Sequence, residues 1–94
     1  MREKYLLGEI FPVKFLVHST SGDPFRVLSA DWELLSYGNK ESSGECDITT
    51  DDDGNTYLDM TLEPQKTGKY TLVVTFAIGE YVFKRDVDFE VSEP

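Results

Sequence analysis

Apolar side chains recur at every second position through five segments of this chain, and no segment shows the spacing of an amphipathic helix. Phe11, Val13, Phe15 and Val17 share one phase, with Pro12, Lys14 and His18 in the other. Ala30, Trp32 and Leu34 alternate with Asp31 and Glu33, and Leu58, Met60 and Leu62 alternate with Tyr57, Asp59, Thr61 and Glu63. Tyr70, Leu72, Val74 and Phe76 alternate with Thr71, Val73, Thr75 and Ala77. Tyr81, Phe83, Val87, Phe89 and Val91 share a phase that Arg85 interrupts. Successive side chains of a strand point to opposite faces, so each segment reads as a strand with one buried face.

The intervals read as turns. Residues 19–24 (Ser-Thr-Ser-Gly-Asp-Pro) and 38–44 (Gly-Asn-Lys-Glu-Ser-Ser-Gly) are loops by composition. Asp53-Gly54 suits a tight hairpin whose two central residues take positive φ, and Ile78-Gly79-Glu80-Tyr81 joins the two longest strands in a second one. Short strands near Cys46-Asp47-Ile48 and Tyr5-Leu6-Leu7 raise the expected total to about seven, which in a chain this short fits two packed antiparallel sheets. Ninety-four residues suffice for one core, so residues 1–94 are expected to form a single domain.

Composition narrows the function. With 39% apolar and 13% aromatic residues the chain has the material for a core. Its net charge of −9, from 18 acidic and 9 basic residues, argues against nucleic acid or an anionic membrane as a partner, since both are bound through Lys and Arg. Cys46 is the single cysteine, so an intrachain disulfide is excluded. The start lacks a long apolar segment, and no run approaches the ~18 residues of a membrane helix. If the chain is full length, cytoplasmic synthesis with incorporation into a virion is expected; if it is excised from a larger protein, an extracellular surface is expected instead.

The stretch Glu63-Pro-Gln-Lys-Thr-Gly-Lys-Tyr70 has the features of a corner between two sheets. Pro64 cannot donate to a ladder and ends the preceding strand. Gly68 supplies backbone freedom at a sharp fold-over. Tyr70 then points inward, its ring in the core and its hydroxyl on a backbone partner. With Leu62-Glu63-Pro64, Gly68-Lys69-Tyr70-Thr71-Leu72 and Trp32 at the place of the third strand's core tryptophan, the chain resembles the immunoglobulin-like β-sandwich. Leu72 stands where antibody-type domains have a cysteine two residues after the corner tyrosine. The likeness is therefore to the disulfide-free bacterial and viral versions, with packing of Phe15, Trp32, Leu72 and Val74 in place of the bridge. The longer pattern F-x-V, A-D-W-E-L, S-G-E-C, L-x-x-T-L-E-P, G-x-Y-x-L-x-V-T-F is similar to small Ig-like domains of tailed-phage virion proteins and bacterial surface proteins.

Few residues carry chemistry. Asp51, Asp53 and Asn55 offer alternate oxygens in the manner of a calcium loop, but Thr56 stands at the position that needs glycine and Leu62 at the position of the bidentate glutamate, so a solvated hairpin tip is the better reading. His18 lies in a polar phase, and with one histidine and one cysteine no zinc set can be assembled. Nothing places His18 beside Cys46 as the base a thiolate nucleophile requires. The aromatic residues Phe11, Phe15, Phe25, Trp32, Tyr70, Phe76, Tyr81, Phe83 and Phe89 fall mostly in buried phases and read as core, with Tyr37 and Tyr57 on the surface. Arg85 pairs with an acid, reaches water from an edge, or marks a β-bulge.

The expectation is a non-catalytic structural or interaction module with no cofactor and a protein partner, of the phage-virion or phage-derived Ig-like type. A homo-oligomer is compatible with it. The alternative is an adhesion or carbohydrate-binding Ig-like module of a bacterial surface protein. The contact surface expected is the outward phase of the two strands after the corner, where Val73, Thr75, Ala77 and Val82 form a mildly apolar stripe that Leu35 extends.

Overall fold

The computed structural model describes residues 4–18 and 24–94, so all but the last residue of the expected loop at 19–24 lies outside the described residues. These residues form eight strands and no helix: β1 (Lys4–Leu6), β2 (Phe11–Val17), β3 (Val27–Ser36), β4 (Asn39–Glu45), β5 (Asp47–Thr50), β6 (Thr56–Leu62), β7 (Gly68–Ile78) and β8 (Tyr81–Ser92). They make a five-stranded sheet of order β1-β8-β7-β3-β4 and a three-stranded sheet of order β2-β6-β5. The all-β two-sheet sandwich expected from the alternation is the fold.

The alternating segments bury the phase the pattern assigns to them, except that Phe15, Trp32, Phe83 and Val87 are half-buried and Tyr81 is exposed. Leu34, Leu58, Leu62, Tyr70, Leu72, Val74 and Val91 are fully buried between the sheets. Each such aliphatic side chain contributes roughly 1.5–3 kcal/mol on leaving water. Of the four side chains expected to replace a disulfide, Leu72 and Val74 are completely enclosed, while Phe15 and Trp32 are half-buried at the margin of the same cluster. At the other end Tyr5 stacks on Phe11 with ring centroids 3.7 Å apart, and both meet Phe89 edge-on.

Four expectations need correction. Residues 38–44, polar enough to read as a loop, belong mostly to β4, which pairs antiparallel with β3 from Asp31↔Glu45 to Ser36↔Asn39. An edge strand with little to bury needs no apolar phase, because its ladder partner defines it. The count is therefore eight among the described residues. Second, the sandwich is not wholly antiparallel: β1 runs parallel to β8, with Lys4 opposite Glu90 and Tyr5 opposite Val91. Third, the hairpin at Asp53-Gly54 is a five-residue loop, 51–55, in which Gly54 alone has positive φ (84°). The two-residue turn with both central residues at positive φ is instead Tyr37-Gly38 (50° and 82°), between β3 and β4. Fourth, Tyr81 is 72% exposed although it shares the phase of buried Phe89: in its row burial fades from buried Val27 on β3 through half-buried Ile78 on β7 to Tyr81 on β8.

The hairpin at Gly79-Glu80 is as expected, with Ile78 opposite Tyr81 and φ of 60° at Gly79. Cys46 is the single residue between β4 and β5; its N–H donates to the Ala30 carbonyl at 2.9 Å before the chain switches sheets.

The corner closes as the sequence implies, with one addition. Gly68 has φ of 114°, and the Tyr70 hydroxyl accepts a hydrogen bond from the Lys66 N–H at 3.1 Å. The same hydroxyl donates to Glu41 Oε1 at 2.7 Å, so a residue of β4 also holds the turn. Tyr37, in a left-handed conformation unusual for a bulky side chain, lays its ring over Gly68, where an added Cβ would collide with it.

Candidate interaction surface

The outer face of the five-stranded sheet collects all five residues expected to form a stripe. Register sets their positions: Ser29, Ala77 and Val82 share one row across β3, β7 and β8, and Asp31, Thr75 and Lys84 the next. Glu33, Val73 and Asp86 follow, then Leu35, Thr71 and Asp88. Leu35, Val73, Thr75 and Ala77 are half-buried and Val82 is 70% exposed. The sheet brings Leu35 next to Thr71, one row from Val73, so it continues the stripe on the neighbouring strand.

The sequence did not reveal what borders this stripe. Val73 lies directly between Glu33 and Asp86, and Glu45 of β4 stands beside Asp31. The Thr71 hydroxyl donates to Asp88 Oδ1 at 2.8 Å, which orders one more carboxylate on the same face. The polar phases of β3 and β8 held the signal, but only strand order shows that both flank β7. The face therefore combines half-buried methyl groups with charge: carboxylates on both sides of Val73, and Asp31 with Lys84 on the two sides of Thr75.

The remaining candidates separate. In the 51–55 loop the Asp51 carboxylate turns inward: Oδ1 accepts the N–H groups of Asp53 (3.0 Å) and Asn55 (2.9 Å), and Oδ2 accepts the Asn55 side-chain amide at 3.1 Å. The hydrogen bond from the Asn55 side chain, followed by that from its backbone, lowers the Asp51 pKa. These oxygens cap the loop, and among the described residues no three His, Cys, Asp or Glu side chains converge as a metal set. Cys46 is buried at the sheet switch; burial, then Asp31, Asp47 and Asp59, push its thiol pKa up to about 11. A thiol so held is a poor nucleophile. His18 is exposed at the end of β2.

Trp32 faces a cleft of about 540 Å³ between the margins of the two sheets, with Val13, Met60, Asp47 and Asp59 among its walls. Its indole packs beneath Gly44, where an added Cβ would come within 2.9 Å of Nε1. Tyr37 is 70% exposed. Tyr57 is half-buried with the Lys14 ammonium 5.0 Å from its ring centroid. For Arg85, the unbroken register from Gly68↔Val91 to Ile78↔Tyr81 removes the bulge from the alternatives. Its head reaches water, donates to the Lys84 carbonyl at 3.0 Å and lies 5.9 Å from the Phe83 ring.

No family model matches the chain, and no curated protein or solved structure matches it either.

Proposed function

We propose that this protein is an immunoglobulin-like domain of the disulfide-free bacterial or phage type that works as a non-catalytic assembly module, contacting a protein partner through the outer face of its five-stranded sheet. The observation that carries the reading is the convergence of Leu35, Val73, Thr75, Ala77 and Val82 on one face bordered by Glu33 and Asp86. The family part draws support from the strand order together with the corner at Tyr70, which follow the immunoglobulin plan. Incorporation into a larger particle such as a virion goes with this reading.

Val73→Lys tests it. The residue lies outside the core, so the variant keeps the wild-type melting temperature while sedimentation shows weakened assembly. A folded variant that assembles as the wild type does removes this face from the contact.

A further inference from the structure

Among the described residues the longest uncovered strand edge belongs to β8. β1 pairs with Glu90, Val91 and Ser92, so residues 81–89 have, among the described residues, a ladder on the β7 side alone. Unpaired N–H and C=O groups along such an edge are a template for another strand. The molecule itself shows how this edge takes one. β1 lies along its far end with Lys4 opposite Glu90, and Tyr5 enters the core between Phe11 and Phe89.

Beside the uncovered part, the inner phase reads Tyr81, Phe83, Arg85, Val87, Phe89. Arg85 stands opposite Val74, a fully buried residue, so a cation occupies a row that is apolar on the next strand. Among the described residues its partners are the Lys84 carbonyl and the Phe83 ring, and no carboxylate meets it. A cleft of about 350 Å³ opens alongside, walled by Val17, Phe25, Phe76 and Phe83, with His18 and Arg85 contributing its polar groups. Apolar walls with a cation free to pair define the complementary ligand: an apolar side chain next to a carboxylate.

A second copy does not meet that requirement. Two β8 strands paired about a two-fold axis that keeps like faces together must place some residue opposite itself. Within residues 81–89 the side chains that share Arg85's face, Tyr81, Phe83, Val87 and Phe89, include no carboxylate, so every such register sets Arg85 against itself or an uncharged side chain, and each chain brings a net charge of −9.

We infer that residues 81–89 of β8 form a strand-addition site for an extended segment of a partner protein, one that sets a carboxylate against Arg85 and an adjacent apolar side chain in the cleft. The main-chain ladder supplies affinity, and Arg85 with the cleft supplies register and selectivity. The two surfaces share Val82, Asp86 and Asp88 of β8 but use different groups: the outer side chains there, the main-chain edge and the inner phase around Arg85 here.

The probes are two synthetic nonapeptides of alternating valine and threonine, with either glutamate or lysine at the central valine position, titrated into the ¹⁵N-labelled full chain. The glutamate peptide shifts amides within residues 81–89 and binds at least tenfold more tightly than the lysine peptide. Arg85→Glu, an exposed position whose folding is checked by circular dichroism, reverses that preference. Val73→Lys leaves it unchanged, which separates this site from the sheet face. Absence of binding, equal affinity for the two peptides, or shifts centred outside residues 81–89 would overturn the assignment.

Discussion

The Tyr70 hydroxyl joins two parts of the chain twenty-nine residues apart by donating to Glu41 Oε1 at 2.7 Å, while accepting the Lys66 N–H at 3.1 Å. Glu41 Oε2 lies 3.4 Å from the Gln65 N–H, so one carboxylate holds both the tyrosine and the turn it closes. Hydrogen bonds to charged groups contribute about 1.5–3 kcal/mol, more than neutral ones. Tyr70→Phe should therefore destabilise the domain by about 1–3 kcal/mol in urea melts. Glu41→Ala should lose part of the same energy, and the double variant should fall short of the sum. Full additivity would mean that the two side chains do not act together.

Alkaline pH should weaken the fold through two groups. Burial, then the hydrogen bond to Glu41, raise the Tyr70 pKa, and burial raises that of Cys46 to about 11. A raised pKa means that the native state binds more protons than the unfolded state between the two values, so stability falls as pH rises. The Cys46 contribution is complete below pH 9.0 and is lost toward pH 11; the Tyr70 contribution is complete below 10.0 and is lost above it. Urea melts across this window should show a decline that Cys46→Ala reduces at its lower end and Tyr70→Phe at its upper end. A flat profile would contradict both assignments.

Gly44 is small because of Trp32. An alanine Cβ would stand 2.9 Å from the indole Nε1 and force the ring to move. Gly44→Ala should cost about 1–3 kcal/mol, the usual range for overpacking. In a Trp32→Phe background the same substitution should be close to neutral, because the atoms it meets are gone. Equal costs in both backgrounds would place the strain in the β4 backbone instead.

The Asp51 loop should ignore calcium, because its carboxylate oxygens already accept N–H groups of Asp53 and Asn55. Millimolar calcium should leave the melting temperature unchanged, since stabilisation by linkage requires a filled site. Asp51→Ala should speed amide exchange at Asp53 and Asn55 with or without calcium. The lowered Asp51 pKa means that its contribution is present above pH 3.8 and is lost as pH falls through the folded value. A calcium-dependent rise in melting temperature would return the loop to the status of an ion site.

The alternation of Phe11 to Val17, Leu58 to Leu62 and Tyr70 to Phe76 was enough to establish an all-β chain, because the two-residue period of a strand belongs to the backbone itself. Pro64, Gly68 and Tyr70 were likewise legible as a corner, since each acts through its own covalent geometry or its immediate neighbours. β4 was not legible: Asn-Lys-Glu-Ser-Ser-Gly-Glu is a strand only because β3 offers it an edge. The same is true of Glu41, whose role depends on a partner twenty-nine positions away. The stripe through Val73 could be read from one strand, but its carboxylate border required β3 and β8 to flank β7. The exposure of Tyr81 belongs to its row across the sheet, in which burial fades from Val27 through Ile78. Local periodicity determines which side of a strand is apolar; only the packing of the sheets decides which apolar sides are covered.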